Sequence, residues 1–313
     1  MGNIIKTNKK LNIFFTIDEK FIVYFTVTLT SLLENNKDLD TNIFVIYSFK
    51  NSEPLEKIAL LAKENYNTTI NLIYKDSSTF AHYTISKHVS ISTYLRLLLP
   101  DILPKEIETG LFLDADTIVT GSLIELANLN FTALEADYNS KSNKYLYAVS
   151  EVNEYVESES RRITALGYPT DRYFNAGIMF INVKNWRLIN ATDNFLAIAS
   201  ANMNSLLYWD QDVLNMFFAN QWTALDQKFN ALHLIWKQPT TPTIIHFVGM
   251  PKPWNYLCRH PYRNLYFKYL SKTPFKSKRY TDFDYKKMPY KYYKDLLHFL
   301  NYFRQLFLGN LKL

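Results

Sequence analysis

The sequence predicts an α/β protein with a mostly parallel sheet, and three observations carry this prediction. Short apolar runs rich in β-forming residues alternate with helical patterns over residues 11–75, which is typical of βαβ units. Hydrophobic residues make up 48% of the 313-residue chain, enough to bury a large core. Acidic side chains directly follow two of the apolar runs, where the carboxyl ends of parallel strands form ligand sites.

The predicted elements follow one another in a regular order. Those of the first part of the chain are strand 11–17, helix 21–33, strand 41–49, helix 54–65 and strand 69–75. Pro54 suits the start of its helix, because the missing N–H would have no partner in a first helical turn. A further helix is expected over residues 90–100, with Arg96 among leucines. An arginine on such a face either extends its charge to solvent or binds an anion.

Composition excludes several classes of protein. With one cysteine, Cys258, the chain has no internal disulfide framework and no cysteine-based zinc cluster, which fits a reducing, cytoplasmic location. No apolar stretch approaches the roughly 20 residues that cross a bilayer. The amino terminus makes a poor signal peptide, because Asp18 interrupts its apolar run. The seven glycines form no Gly-rich phosphate loop, so any phosphate must be bound by a metal or by basic side chains.

The carboxyl-terminal part of the chain differs in charge and composition. From Arg259 onward, 13 lysines and arginines stand against three acids, a net charge of +10. Because the whole chain carries +6, the part before Arg259 carries −4. Lysine, tyrosine and phenylalanine dominate from about residue 271, so we expect a domain of residues 1–270 followed by a basic aromatic segment, 271–313.

This segment has the composition of a largely helical element at a membrane surface. Four lysines, Lys286, Lys287, Lys291 and Lys294, come first. They are followed by an apolar helical face formed by Leu296, Leu297, Leu300, Phe303 and Phe307. We therefore expect peripheral binding to an anionic membrane. The alternative is that these apolar side chains pack on the preceding domain as ordinary core. Binding to nucleic acid is not expected, because no nucleic-acid-binding module is recognisable.

Two carboxylates, Asp114 and Asp116, follow the apolar run at residues 111–113. On a strand, residues i and i+2 point to the same face, so these two repel each other unless a positive group lies between them. His246 ends a later β-rich run, and two carboxylates with one imidazole suit a cation such as Mn²⁺. Lys252, between two prolines, could bind the same phosphates as a point charge. The alternatives are an Asp-rich turn, a structural histidine and a solvated lysine.

Two further stretches contain polar residues at the edges of predicted elements. In WDQDVLN, Asp210 is expected to be the N-cap of a helix, which leaves Gln211 and Asp212 unexplained. In YFNAGIMFINVKNW, Asn175 and Gly177 precede a buried strand. A turn beside a ligand and an ordinary strand entry fit this second stretch equally well.

Six motifs occur along the chain in the order IFFTIDEKF, SISTYLRL, FLDADTIV, YFNAGIMFINVKNW, DQDVLN and HFVGMPKPW. With them, residues 12–254 resemble the family 8 glycosyltransferases, most of all the bacterial lipopolysaccharide galactosyl- and glucosyltransferases. The resemblance implies a GT-A fold, a Rossmann-like domain that binds a nucleotide sugar. It also implies retaining transfer of galactose or glucose from a UDP-sugar to a glycan acceptor, expected to be the lipopolysaccharide or lipooligosaccharide core at the cytoplasmic membrane face. The alternative within the family is a protein or another non-lipid acceptor.

The resemblance also implies roles for individual residues. Asp114, Asp116 and His246 become the ligands of Mn²⁺, for which Mg²⁺ can substitute. Gly249 and Lys252 contact the diphosphate of the donor.

The other donor-binding residues implied by the resemblance are Thr16 and Asp18 at the uridine, and Arg96, Glu151, Asn175, Gly177, Asp210 and Gln211 near the sugar and phosphates. Two positions depart from the family pattern. Glu151 stands where an aspartate that reaches the sugar hydroxyls is expected, and Lys20 stands where a smaller polar residue is usual. Both departures bear on which sugar is transferred.

The two catalytic residues implied by the resemblance are Gln211, nearest the anomeric carbon, and Asp210, on a sugar hydroxyl. An amide is a poor nucleophile, so front-face substitution is favoured over the covalent intermediate of a retaining glycosidase. A sugar-nucleotide hydrolase or a nucleotidyltransferase could use the same metal site and is the alternative from another class of enzyme.

Overall fold

The computed structural model describes residues 10–76, 91–131 and 144–307. These residues divide into two compact units. The first extends to Leu232 and includes Gln238–His246, and the second contains His233–Lys237 and the residues from Phe247 onward. The first unit contains every strand of the described residues.

The strands are β1 (Lys10–Ile17), β2 (Asp40–Tyr47), β3 (Ile70–Tyr74), β4 (Thr109–Leu113), β5 (Thr117–Val119), β6 (Leu146–Ser150), β7 (Phe174–Asn182), β8 (Thr223–Ala224) and β9 (Ile244–His246). The α-helices of the first unit are α1 (Ile22–Asn35), α2 (Glu53–Tyr66), α3 (Leu99–Ile102), α4 (Ile124–Ala127), α5 (Asn153–Ala165), α6 (Val183–Leu188), α7 (Ala191–Asn202) and α8 (Trp209–Phe218). The predicted strands and helices of the first 75 residues agree with β1, α1, β2, α2 and β3 to within two residues at each end.

Seven of the strands form one mixed sheet, in the order β3-β2-β1-β4-β7-β6-β8. Neighbouring strands pair in parallel except at β7, which is antiparallel to both β4 and β6. Helices α1 and α2 connect the parallel strands β1, β2 and β3, as in βαβ units. The predicted α/β class with a mostly parallel sheet is confirmed.

Strand β7 crosses the core, and all nine of its residues are buried. Phe112 of β4 belongs to the same buried apolar cluster as Trp186 of α6 and Phe218 of α8. Because β7 is antiparallel to β4, its first residues lie beside the carboxyl end of β4. Thus Asp114 N, just after β4, donates a hydrogen bond of 2.8 Å to Gly177 O of β7.

A second sheet of two strands brings distant parts of the chain together. Strands β5 and β9 pair antiparallel, with Thr117 opposite His246. The Thr28 hydroxyl of α1 donates to the backbone oxygens of Ala115 (2.8 Å) and Thr117 (2.7 Å), so α1 fixes the turn between β4 and β5. The residues that follow β4 and the last residue of β9 consequently lie side by side.

The helix predicted over residues 90–100 is only partly correct. Residues Ile91–Leu98 form a 3-10 helix, and α3 begins at Leu99, while residue 90 lies outside the described residues. Pro100 has no N–H to donate to the Arg96 carbonyl, so one continuous α-helix cannot include both residues. Arg96 is buried, which contradicts the interpretation that its charge extends to solvent.

The second unit contains α9 (Arg263–Leu270) and α10 (Met288–Phe307). Arg259 Nε lies 2.9 Å from Asp295 Oδ1, which joins the segment before α9 to α10. The shift in composition near residue 270 therefore falls within one compact unit, and a functional boundary at that residue stays a prediction.

Helix α10 exposes apolar side chains. Leu296, Leu297 and Leu300 are 55%, 41% and 55% exposed, so these three leucines do not pack as core. The side chains of Phe303 and Phe307 lie outside the described ones. Within the described ranges, no helix combines the length and the apolar composition needed to cross a membrane.

Candidate active site

Three side chains of the types that commonly ligate metals converge where β5 meets β9. Asp114 and Asp116 lie in the turn between β4 and β5, and His246 ends β9. His246 Nε2 is 3.2 Å from Asp116 Oδ1 and 3.8 Å from Asp114 Oδ2. One ligand atom from each residue lies within 4.8 Å of the others, so the group can hold a metal ion. The predicted O,O,N set is therefore brought together, although by a turn and not by the alternation of one strand.

The space beside these ligands depends on Gly177. A Cβ atom at this position would lie 2.3 Å from His246 Cε1 and 2.7 Å from Asp114 Oδ2. Both distances are below van der Waals contact, so any larger residue would displace a ligand. A turn or a strand entry was predicted at Asn175 and Gly177. Both residues instead lie within β7, and Gly177 packs directly against His246 and Asp114. This close approach and the donor set fit a divalent cation.

A buried guanidinium lies among the acids. Arg96 Nη2 donates to Asp114 Oδ1 at 2.9 Å, and Nη1 donates to Ala176 O at 2.8 Å. Its Nε forms an ion pair with Asp210 Oδ2 at 2.6 Å. Burial by itself lowers the pKa of Arg96, but the carboxylates of Asp114 and Asp210 outweigh it and raise the pKa. Arg96 thus supplies a positive charge that offsets the repulsion expected between the acids.

Asp210 is not the N-cap of its helix. Helix α8 begins at Trp209 with Tyr208 as N-cap, so Asp210 lies inside the first turn. Burial raises the pKa of Asp210 to about 7, with Arg96 acting in the opposite direction. Asp212 instead binds the two residues just before the helix, since its Oδ2 accepts from Leu207 N (2.7 Å) and Tyr208 N (2.9 Å). The N-cap prediction failed because the ion pair with Arg96 cannot be read from local sequence.

The Gln211 amide is held in a fixed orientation. Its Oε1 accepts from Ala176 N of β7 at 2.9 Å, and its Nε2 donates to the Tyr173 hydroxyl at 3.3 Å. That hydroxyl in turn donates to Asp212 Oδ1 at 2.6 Å, which also lies 2.5 Å from Arg162 Nη2. Burial raises the pKa of Tyr173 well above its ordinary value, so the phenol stays protonated. Asp212, unexplained by sequence, therefore orients Gln211 through Tyr173.

Four side-chain groups form a buried chain that ends at the histidine. Glu151 Oε1 accepts from Asn175 Nδ2 (2.8 Å), and Asn175 Oδ1 accepts from Asn230 Nδ2 (2.9 Å). Asn230 Oδ1 then lies 3.0 Å from His246 Nδ1. Asn230 was not among the predicted residues, because it stands alone between short elements and carries no motif.

The residues predicted for the uridine lie at the end of β1. Thr16 is the penultimate residue of β1, and β1 pairs in parallel with β4, so both strands end at the same edge of the sheet. Asp18 accepts from Phe21 N at 3.0 Å and caps the short 3-10 helix that follows. Lys20, the departure from the family pattern, is exposed.

The two residues predicted for the diphosphate belong to the second unit. Lys252 Nζ donates to Phe247 O, and Lys252 N donates to Asn255 Oδ1 at 2.7 Å. Gly249 has φ of 67°, a conformation that favours glycine. Their roles stay predictions.

The sequence model of the family described as "Glycosyl transferase family 8" matches residues 12–258. The chain belongs to glycosyltransferase family 8. A lipopolysaccharide 1,2-glucosyltransferase of Escherichia coli is 29% identical, over 82% of this chain and 77% of its own length. General stress protein A of Bacillus subtilis is 28% identical, over 82% and 91%. A lipopolysaccharide 1,3-galactosyltransferase of Salmonella typhimurium is 27% identical, over 85% and 79%.

Solved structures have the same fold as this family 8 chain. The galactosyltransferase LgtC, in complex with donor and acceptor sugar analogs, aligns with a TM-score of 0.71 and 21% identity, covering 88% of this chain and 99% of LgtC. The glycosyltransferase GlyE of Streptococcus pneumoniae aligns with a TM-score of 0.62 and 22% identity, covering 83% of this chain and 60% of GlyE. The GT-A-type fold expected from the motifs is therefore confirmed.

Replacing Gly177 with alanine is expected to abolish divalent-metal binding. The added methyl group would occupy the position now filled by the His246 ring edge and would push Asp114 away. The measurement is a Mn²⁺ titration by EPR, which counts free Mn²⁺, together with a thermal melt. The matched control is Gly121→Ala, where the nearest atom to the new Cβ would be at an ordinary 3.4 Å. If Gly177→Ala bound Mn²⁺ as tightly as Gly121→Ala, the metal centre would lie elsewhere.

Proposed function

We propose that this family 8 protein transfers galactose or glucose, with retention of configuration, from a UDP-sugar to a glycan acceptor. The observation that carries the proposal is the convergence of Asp114, Asp116 and His246 in a chain whose family model spans the whole site. Two of the relatives are lipopolysaccharide hexosyltransferases, which supports a hexose donor and a lipopolysaccharide core acceptor.

Asp114, Asp116 and His246 would hold the cation, Mn²⁺ or Mg²⁺ as its substitute. When bound, such an ion supplies Lewis-acid stabilisation of the charge that develops on a departing diphosphate. Asp114 can serve the ion and Arg96 together, because Oδ1 accepts from Arg96 while Oδ2 faces His246. In this proposal Thr16 and Asp18 bind the uridine, as the resemblance implies.

The remaining assignments concern the sugar and the diphosphate. Asp210 would bind a sugar hydroxyl, and Gln211 would lie beside the anomeric carbon, where an amide can stabilise positive charge. A second solved structure of LgtC carries glutamate in place of an active-site glutamine, so an amide belongs to the active site of that enzyme. Lys252 and Gly249 would bind the diphosphate. Glu151, Asn175, Gly177 and Arg96 would complete the donor-binding set.

The proposed reaction is a front-face substitution. The bond between the anomeric carbon and the diphosphate oxygen breaks, and the acceptor oxygen forms a bond to the same face of that carbon. The departing diphosphate oxygen takes the proton of the acceptor hydroxyl, so no protein carboxylate has to protonate the leaving group. Gln211 suits this route because its amide, already fixed by Ala176 N and Tyr173, is too weak a nucleophile to form a covalent intermediate.

We propose in addition that α10 binds the cytoplasmic face of an anionic membrane, where a lipid-linked acceptor is found. The exposed leucines of α10 and the net charge of +10 from Arg259 onward support this. Each lysine or arginine near an anionic surface contributes about 1 kcal/mol. Half of that excess charge would therefore suffice for peripheral attachment.

The donor and the metal are tested together by hydrolysis of a panel of UDP-sugars in the presence of Mn²⁺. We expect turnover of UDP-galactose or UDP-glucose and loss of activity with chelator. Asp116→Asn should reduce turnover by about a hundredfold or more, because the charge on the leaving group is no longer balanced. The control is Asp38→Asn, the same change at an exposed loop position.

Turnover that persists in chelator, or in Asp116→Asn, would contradict the metal-dependent mechanism. Release of sugar phosphate instead of UDP would indicate cleavage of the diphosphate by a hydrolase or nucleotidyltransferase. Release of free sugar that added acceptor does not divert to a transfer product would indicate a hydrolase. With the donor known, an acceptor screen of lipopolysaccharide core against protein then separates the two acceptor classes.

The double variant Leu296→Asp/Leu300→Asp is expected to bind vesicles rich in phosphatidylglycerol at least about tenfold more weakly than the wild type, because two apolar side chains on one helical face become charged. Both leucines are 55% exposed, so folding should be unaffected. The matched control is Leu60→Asp/Leu188→Asp, two exposed leucines of the first unit. Co-sedimentation at rising salt is the measurement, and wild-type binding should fall as ions screen the charge. Equal sedimentation of the two double variants would end the membrane proposal.

A further inference from the structure

His246 is the end of a buried chain of amides whose orientation can be worked out. Asn175 Oδ1 accepts from two groups, Gly177 N at 3.0 Å and Asn230 Nδ2 at 2.9 Å. At its other end Asn175 donates from Nδ2 to Glu151 Oε1 at 2.8 Å. The residues of this chain are all at least nine-tenths buried, so removal of a hydrogen-bond partner is costly.

One backbone group decides the direction of every bond in this chain. The N–H of Gly177 can only donate, so the atom of Asn175 that faces it must be the carbonyl oxygen. The group of Asn230 that faces the same oxygen must then be its NH₂. A reversed Asn230 would place two acceptors against each other, and a reversed Asn175 would place its NH₂ against the Gly177 N–H.

With Asn230 fixed in this way, its oxygen points at the histidine. Asn230 Oδ1 lies 3.0 Å from His246 Nδ1 and can only accept, so Nδ1 must carry a proton. Neutral imidazole has one N–H, and the lone pair is therefore on Nε2. That nitrogen faces Asp116 Oδ1 at 3.2 Å, and because a carboxylate only accepts, a lone pair on Nε2 requires a cation between the two atoms.

We propose that Asn230 is a positioning residue, which fixes the Nδ1-protonated tautomer of His246 and keeps the Nε2 lone pair directed at a divalent cation. The inference rests on the metal-dependent function proposed above and adds a residue to it. Asn175 and Gly177 take part because their hydrogen bonds prevent a flip of the Asn230 side-chain amide. A hydrogen bond to the second nitrogen of a ligating histidine orients the ring and raises its basicity.

The inference is tested by Mn²⁺ affinity in the presence of UDP, measured by EPR on Asn230→Leu and Asn230→Asp. Leucine has the same branched shape as asparagine but accepts no hydrogen bond, so the Mn²⁺ dissociation constant of Asn230→Leu should rise about 10- to 100-fold. Aspartate keeps an acceptor toward Nδ1 but loses the NH₂ that donates to Asn175 Oδ1, so the affinity of Asn230→Asp should lie between those of the wild type and Asn230→Leu. The control is Asn185→Leu, which also removes a buried amide, one that donates to Lys144 O at 2.9 Å. Asn185 follows the carboxyl end of β7, whereas Asn175 and Gly177 lie near its amino end.

The tautomer itself is read from ¹⁵N NMR of the metal-free wild type labelled at histidine. The chain has six histidines, and the signal of His246 is the one lost in His246→Gln. We expect a proton on Nδ1 in the wild type and in Asn230→Asp, either alone or together with a proton on Nε2 that faces Asp116, and a shift toward the form protonated at Nε2 alone in Asn230→Leu. This measurement on the wild type decides the inference even if Asn230→Leu does not fold.

Two results would overturn the inference, namely a wild-type His246 protonated at Nε2 alone, or Asn230→Leu binding Mn²⁺ as well as Asn185→Leu does. Failure of the underlying function gives a different pattern. If the wild type itself bound no Mn²⁺ and transferred sugar in chelator, the metal-dependent function and the role of Asn230 would both be wrong. If the wild type bound Mn²⁺ and Asn230→Leu bound it equally, only the role of Asn230 would be wrong.

Discussion

Strands β5 and β9 pair over only three residues each, and that pairing sets His246 beside two aspartates that lie 130 or more positions earlier in the chain. Side chains alternate between the two faces of a strand, so a shift of one residue in this register would replace His246 with an apolar neighbour, Ile245 or Phe247. Thr28 of α1 holds the turn that carries Asp116, and β7 presses Gly177 against the ligands from the other side. The geometry of the donor set therefore depends on the pairing of β5 with β9, on α1 and on β7.

Arg96 offsets part of the negative charge at this site before any cation binds. Breaking a buried ion pair leaves an uncompensated charge, which is costly in a protein interior. Arg96 supplies the compensating charge for two acids at once, because one of its nitrogens pairs with Asp114 and another pairs with Asp210. Asp114 keeps its second oxygen for His246 and the cation. A bound cation would therefore share this carboxylate with Arg96 without competing for the same oxygen.

Local sequence patterns were sufficient to predict the first strands and helices and the acidic pair after β4. The strands and helices of β1 to β3 follow from periodicity, and the aspartates after β4 follow from the position of a polar pair behind an apolar run. Asp210 was assigned wrongly, because the N-cap pattern is local whereas its ion pair with Arg96 joins residues more than 100 positions apart. Asn230 was missed for the same reason: its two partners come from β7 and β9. Pro100 was present in the sequence, and its missing N–H could have predicted the break after the 3-10 helix.

The central claim is that Asp114, Asp116 and His246 bind one divalent cation, with His246 contributing its Nε2. Pulsed EPR of Mn²⁺ bound to protein labelled with ¹⁵N at histidine tests this directly, because only a coordinated imidazole gives a strong nitrogen coupling. The account predicts coupling to a single histidine nitrogen, which disappears in His246→Gln. Bound Mn²⁺ without nitrogen coupling, or coupling that survives in His246→Gln, would contradict it.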